Sequence, residues 1–238
     1  MFIQGFQPLS LFTGLDADQS SYVFLTGRND GSGTRTTFLA ETGYPIARTL
    51  NQYKSDSNGT TLTKLQVWPT GDGSNASTIW NTDTEGNGGY SSGSGLTNVM
   101  KAASGNVTVY EADGATVSFE PAPVSILGYQ STKDANDSVA GGNGGRVLSY
   151  NGFNVTYTGS DISAATRKAI INGQYTMWGY EHLYSRTAVN FTTPANDLDR
   201  LYKTIRDGCT AANLSNSGIP LSEMTVVSRT TDGGVVAP

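Results

Sequence analysis

The chain has 238 residues, of which 37% are hydrophobic and 15% are charged, and its formal net charge is −5 at pH 7. This length fits one large domain or two small lobes. The acidic balance, without a basic block, gives no support to nucleic-acid binding through phosphate neutralisation. Glycine is abundant, as are asparagine, serine and threonine, and this composition is typical of secreted bacterial proteins with long polar loops.

Cysteine and histidine are too few for several kinds of site. A single cysteine, Cys209, rules out an intramolecular disulfide, and we predict a small buried side chain rather than a reactive thiol. One histidine and one cysteine make no recognisable zinc site, and we predict no cofactor. The first residues have neither the basic nor the apolar segment of a signal peptide, and no stretch approaches the ~18 apolar residues of a membrane helix.

Residues 21–40 predict a strand, a glycine-rich turn and the start of a helix. Residues 22–25 form a short apolar run rich in β-forming side chains. The sequence GRNDGSGT ends this strand, and residues 38–40 begin an apolar helical face. Such a turn can direct several backbone N–H groups at one point, where the positive end of the helix dipole also favours an anion.

The side chains of this turn add donors suited to an oxyanion. Arg28 offers a planar fork that fits a tetrahedral oxyanion through two hydrogen bonds. Ser32 and Thr34 add hydroxyl groups and, with Gly33, backbone N–H groups. Asp30 is expected to pair with Arg28 and hold it in place. The turn matches neither the Walker loop nor GxGxxG, so local chemistry alone equally favours an ordinary turn.

The following segments give weaker patterns. Residues 44–53 are interpreted as helical or irregular, and residues 55–61 as a polar loop. Residues 65–68 predict a second strand, which Pro69 ends. Residues 69–95 form a long polar region rich in glycine, asparagine and threonine.

The polar region contains the strongest competing motif. Residues 89–93, Gly-Tyr-Ser-Ser-Gly, match the GxSxG nucleophile elbow of α/β-hydrolases, with Ser91 as the nucleophile and His182 later in the chain. An elbow needs an apolar strand directly before the serine, whereas the residues here are NTDTEGNG. The competing interpretation is a loop that caps the next helix, and contact of Ser92 or Ser94 with a ligand is a further alternative.

The middle of the chain predicts β-structure. Residues 107–119 alternate apolar and polar side chains around Gly114 and predict a hairpin. Pro121 and Pro123 are expected to break the chain before a buried strand at 124–129.

The C-terminal half mixes loops, turns and helices. Residues 134–147 predict a polar loop, and Asn151-Gly152 predicts a hairpin turn. A helix is predicted to begin at a Ser160 or Asp161 cap and to end at Gly173. An aromatic segment at 174–184 is interpreted as a core-packed strand, with a sugar-stacking platform as the alternative. A further helix is predicted over 196–212.

The turn Arg28–Arg35, R-N-D-G-S-G-T-R, resembles the motif R-x-D-G-S-G-T of the phosphate-binding proteins that serve ABC transporters. These belong to the type II periplasmic binding proteins. Later segments resemble landmarks of that family in the same order. They are a glycine-rich run at 86–95 before a helix, the sequence VSILGYQ at 124–130, and IINGQY at 170–175 followed by residues 180–184. The resemblance extends from about residue 8 to the end.

The resemblance implies an α/β fold, namely one lobe of a type II periplasmic-binding-protein-like structure with a mixed, mainly parallel sheet flanked by helices. Residues 1–176 would form the anion-binding lobe, and residues 177–238 a returning segment that packs on the other lobe. In the family a longer segment precedes the motif, so we expect an N-terminally incomplete chain. The surface left by the missing lobe would then promote self-association.

The main functional hypothesis is a non-enzymatic solute-binding protein for phosphate or a related oxyanion. Arg28, Asp30, Ser32, Gly33 and Thr34 would form its ligand site. By resemblance, it would be periplasmic or extracellular and deliver its ligand to an ABC-transporter permease. Binding by this chain alone is expected to be weaker than is usual in the family, whose other contacts come from the first lobe. The alternatives are a secreted serine hydrolase and a non-catalytic surface or interaction protein.

Overall fold

The computed structural model describes most of the chain, in two compact units, Met1–Leu148 and Ser149–Pro238. The predicted boundary after residue 176 belongs to the hypothesis of a missing lobe and stays a prediction. The polar region at 72–83 and the glycine-rich run at 141–144 lie outside the described residues. Those described are 1–57, 60–71, 84–103, 105–140, 145–185, 187–210, 212–214, 218–231 and 234–238.

Unit 1 is an α/β structure built on a mixed sheet with the strand order β1-β2-β6-β5-β4-β3. Among the described strands, two of the five pairings are parallel, β2–β6 and β4–β5, which is fewer than predicted. The mixed sheet flanked by helices is confirmed. The strands are β1 (Phe6–Pro8), β2 (Tyr22–Thr26), β3 (Tyr53–Ser57), β4 (Leu62–Val67), β5 (Asn106–Tyr110) and β6 (Val117–Gly128). The helices are α1 (Ser10–Thr13), α2 (Gly33–Glu41), α3 (Gly93–Met100) and α4 (Thr132–Ala140), with a 3-10 turn at Asp16–Asp18.

Strand β6 joins the two halves of the sheet because it changes partner along its length. Its first half pairs antiparallel with β5, which confirms the predicted hairpin, and its second half pairs parallel with β2 from Val124 to Gly128. Pro121 and Pro123 lie inside this strand, so the prediction that they break it is wrong. Pro123 stands at the change of partner, where a missing N–H donor is tolerated.

The sheet curls, and apolar side chains fill both of its faces. Strand alternation sends Phe24 to one face and Leu25 to the other. The Phe24 ring lies 4.8 Å from the Tyr53 ring of β3, which brings the far edge of the sheet toward β2. Val99 of α3 packs in the Phe24 core, and Leu39 of α2 packs with Leu25. Helices therefore flank both faces of the sheet.

Two loops predicted in unit 1 are regular structure instead. Residues 53–57 form β3, because their backbone pairs with β4 although their side chains are mostly polar. Residues 132–140 form α4, where a loop was predicted. Ser131 Oγ accepts a hydrogen bond from Asp134 N at 3.2 Å, and Lys133 pairs with Asp137 at 2.6 Å one turn later. Local capping and an i,i+4 ion pair thus support a helix in which only three of nine side chains are apolar.

Unit 2 contains the small hairpin β7 (Tyr157–Thr158) and β8 (Asp161–Ile162), followed by α5 (Ala164–Ile171) and α6 (Asp197–Asp207). The turn at Asn151-Gly152 is confirmed, since both residues have positive φ, 50° and 77°. The predicted caps of α5 are wrong, because Asp161 belongs to β8 and Ser163 is the N-cap. Gly173 follows the helix with φ 72°, as predicted.

The C-terminal part of unit 2 departs from the predictions. Residues 174–184 form no strand, and Tyr184 is 79% exposed, so the interpretation as a core strand is wrong. The helix predicted over 196–212 is confirmed in shorter form as α6. Cys209 is exposed rather than buried, and it follows the C-cap of α6, Gly208. No helix in the described ranges is long and apolar enough to cross a membrane.

Candidate functional site

The turn between β2 and α2, residues 28–34, leaves the first N–H groups of α2 available. Ser32 is the N-cap residue, in extended conformation, but its side chain makes no capping hydrogen bond. The N–H groups of Gly33 and Thr34 donate to no residue in the described part of the chain. By contrast, α3, α5 and α6 are capped by Ser92, Ser163 and Asn196 respectively. The positive end of α2 therefore has no acceptor among the residues that the structure describes.

The side chain of Arg28 reaches the loop that precedes α3. Its Nε donates to Tyr90 O at 3.0 Å and its Nη2 to Ser91 O at 2.9 Å. A guanidinium has five N–H donors, so three remain without a partner among the described residues, including the end-on Nη1/Nη2 pair. The predicted brace by Asp30 is wrong. Arg28 forms no ion pair with Asp30 in the described structure, because backbone carbonyl groups hold it instead.

The loop before α3 runs alongside the turn and is fixed against it. Tyr90 pairs in parallel with Arg28, and its N–H donates to Gly27 O at 2.9 Å. A Cβ atom added to Gly89 would stand 2.3 Å from the backbone C and O atoms of Arg28. One added to Gly88 would stand 1.9 Å from the Trp68 ring. This glycine-rich loop is therefore a buried, closely packed element, with residues 86–89 all buried.

Arg35, the last residue of the motif, connects this loop to α2. Its side chain is 3% exposed, and it donates to the Asn87 backbone O at 2.8 Å and to Asn87 Oδ1 at 2.5 Å. Asn87 Oδ1 also accepts from Leu50 N at 3.0 Å. We did not predict this role, and no local pattern indicates it, since the partners lie 52 residues apart in sequence.

The N-terminus of α3 lies near the same turn but is already satisfied. Ser92 Oγ accepts from Gly95 N at 3.1 Å and lies 3.0 Å from Ser94 Oγ. A Cβ atom on Gly93 would stand 1.9 Å from Asp134 Oδ2, so a carboxylate already lies against the first turn of α3. The capping interpretation of the 89–93 loop is confirmed, and the free helix N-terminus of this region is that of α2 rather than α3.

The geometry at Ser91 differs from that of a nucleophile elbow. Asn151 is the residue other than glycine that has positive φ within the described ranges, so Ser91 does not adopt the strained turn. His182 belongs to unit 2, whereas Ser91 belongs to unit 1. Within the described residues, no group of three or more histidine, cysteine, aspartate or glutamate side chains could hold a metal ion.

The position of the turn follows from the sheet. Strands β2 and β6 are parallel, and Tyr90 runs parallel to Arg28, so the segments that lead into α2, α3 and α4 all end at the same edge. In α/β sheets this carboxyl edge is where ligands bind. In comparisons with protein-family models, curated proteins and solved structures, nothing matched this chain. The relation to phosphate-binding proteins therefore remains a resemblance carried by the motif.

Proposed function

We propose that this chain binds phosphate or a closely related tetrahedral oxyanion at the 28–34 turn. One observation carries the proposal: within residues 28–34, the N-terminus of α2 has no side-chain cap, and the Arg28 guanidinium keeps donors that no described residue accepts. Both groups favour an anion, and both occur in the same seven residues. Backbone N–H groups at a helix N-terminus together with an arginine fork are a recurring arrangement for phosphate oxygens.

Each residue of the turn has a distinct role in this proposal. The end-on edge of Arg28 binds two oxygens, because Nε and one Nη2 hydrogen are committed to carbonyl groups. Gly33 and Thr34 donate through the backbone, and the hydroxyl groups of Ser32 and Thr34 complete the set. Asp30, half-buried and not paired with Arg28 in the described structure, is the acidic member of the turn, and its carboxylate would repel an anion rather than donate to it.

The wider proposal is a solute-binding protein of type II periplasmic-binding-protein architecture that serves an ABC-transporter permease, in the periplasm or outside the cell. Three features support it: the R-x-D-G-S-G-T string, the α/β lobe, and the position of the turn at the carboxyl edge of β2. Self-association, also part of this proposal, would use the exposed apolar side chains of α6, which are Leu198, Leu201 and Ile205.

Replacement of Arg28 by alanine tests the proposal. We expect phosphate titration by calorimetry to give a binding signal with the wild-type chain and none with Arg28→Ala, since the charged fork is lost. Arg146→Ala is the matched control, because it removes an exposed arginine of the same unit that contacts only Gly145 O in the described structure. Equal phosphate affinity in Arg28→Ala and Arg146→Ala would show that the turn is not the binding site.

A further inference from the structure

The backbone carbonyl of Arg28 is surrounded by buried donors. Gln52 Nε2 and the Tyr129 hydroxyl both approach this oxygen at 3.2 Å, and Arg35 Nη1 lies at 3.4 Å. Gln52 is fully buried, and Tyr129 is 6% exposed. The carbonyl therefore depends on these side chains, because water does not reach it from this side.

The same side chains also hold each other. The single proton of the Tyr129 hydroxyl is shared between Arg28 O and Gln52 Oε1, the latter at 2.7 Å. The second amide hydrogen of Gln52 goes to Gly88 O at 2.6 Å, which reaches the neighbouring loop. Burial raises the pKa of Tyr129 well above its ordinary value, so its hydroxyl stays a donor throughout the neutral range. The loss of one member would leave buried polar atoms unpaired.

Tyr129 also contacts the helix that provides the N–H groups of the site. Its ring stacks on Phe38 of α2, with centroids 4.2 Å apart and an interplanar angle of 7°. Gly27 allows this approach, because a Cβ atom there would stand 2.2 Å from the Tyr129 ring. One side chain thus touches both parts of the candidate site, the Arg28 backbone and α2.

The peptide between Arg28 and Asn29 is consequently held at both ends. Its carbonyl is held by Gln52 and Tyr129, and its N–H donates to Tyr90 O at 3.2 Å. Without the buried donors, the peptide would rotate to bring its oxygen to another partner, and the Arg28 side chain would move with it. We propose that Gln52 and Tyr129 are positioning residues that orient the Arg28 guanidinium for oxyanion binding, an inference that rests on the proposed function.

Tyr129→Phe tests this role, because it keeps the ring that stacks on Phe38 and removes only the hydroxyl. Tyr53→Phe is the matched control, since Tyr53 is equally buried in the same unit and its hydroxyl makes no hydrogen bond with the described residues. We expect phosphate Kd, measured by calorimetry well below the unfolding temperature, to rise about tenfold in Tyr129→Phe and to stay unchanged in Tyr53→Phe. Gln52→Met, which keeps the side-chain length but removes the amide, should act in the same direction.

Hydrogen exchange of the ligand-free proteins separates this inference from the proposed function. We expect faster exchange of the backbone amides of residues 27–34 in Tyr129→Phe than in the wild-type chain or Tyr53→Phe. If the wild-type chain does not bind phosphate, the proposed function fails. Faster amide exchange at 27–34 in Tyr129→Phe would still support the conclusion that the Tyr129 hydroxyl holds the backbone of the turn in place. Unchanged exchange at 27–34, or a phosphate Kd in Tyr129→Phe equal to that in Tyr53→Phe, overturns the positioning role.

Discussion

Proline in place of Gly33 should remove one N–H donor from the proposed anion site and change little else. Gly33 is the first residue of α2, where proline is well tolerated because that N–H has no partner within the helix. Ser32 has φ −87° and ψ 125°, the extended conformation that a following proline requires. A Cβ atom at position 33 would meet no heavy atom within 4 Å, so this side of the backbone is open.

The expected loss of phosphate affinity follows from the removal of a single N–H donor. A hydrogen bond from a backbone N–H to a charged oxygen contributes about 1.5–3 kcal/mol, which corresponds to a rise in phosphate Kd of about 10- to 150-fold. The stability of the folded protein should not decrease. Proline at a compatible position reduces the entropy of the unfolded chain and contributes about 0.4–1 kcal/mol to stability. Weaker binding should therefore accompany an unchanged or slightly higher unfolding temperature.

Calorimetric titration with phosphate, beside thermal unfolding, measures both quantities. Gly33→Ala is the control, because it adds a side-chain atom at the same position and keeps the N–H. We expect Gly33→Ala to bind nearly as the wild-type chain does and Gly33→Pro to bind at least tenfold more weakly. If Gly33→Pro binds phosphate as tightly as Gly33→Ala, the N–H of residue 33 does not contact the anion, and the assignment of α2 is refuted.

Two further predictions concern stability. Gly89→Ala should lower the free energy of unfolding by about 1–3 kcal/mol, because its Cβ atom would stand 2.3 Å from the Arg28 carbonyl group and must displace backbone. Urea unfolding measures this loss, and a variant as stable as Gly33→Ala would contradict the close approach of the two loops. Burial, and secondarily the charge of Glu111, raises the pKa of Tyr53 from 10.0 to about 12. The stability that depends on this neutral hydroxyl is present below pH 10 and is lost as the pH rises through 12. Thermal unfolding measured across this pH range should show a smaller loss of stability in Tyr53→Phe than in the wild-type chain. An identical loss in the two proteins would contradict ionisation of Tyr53 as its cause.

Elements with local signals in the sequence could be predicted. Strand β2 has an unbroken apolar run, the β5–β6 hairpin has alternation around a glycine, and the Asn151-Gly152 turn has the residues that positive φ requires. Helix α4 could not be predicted from its pattern, because six of its nine side chains are polar and its local support is a cap and an ion pair. The aromatic segment at 174–184 shows the opposite error, in which β-forming residues find no strand partner in the described structure.

The residues of the candidate site were named from the motif, but their contacts depend on distant parts of the chain. Arg28 binds carbonyl groups 62 and 63 residues later, and the Tyr129 hydroxyl that supports its backbone lies 101 residues away. No spacing within the motif indicates such partners. We expected Asp30, two residues away in sequence, to hold the Arg28 side chain. The backbone carbonyl groups of Tyr90 and Ser91 hold it instead.

Glycine serves two opposite purposes around this turn. Gly27 and Gly89 allow close approach, because any Cβ atom there would overlap a ring or a backbone group. Gly33, a few residues along the motif, faces open space and leaves the N–H groups of α2 accessible. The closely packed side of the turn fixes the positions of the donors, and the open side would admit the proposed ligand with little rearrangement. An anion site gains affinity from such preorganisation, because its donors need not be ordered when the ligand arrives.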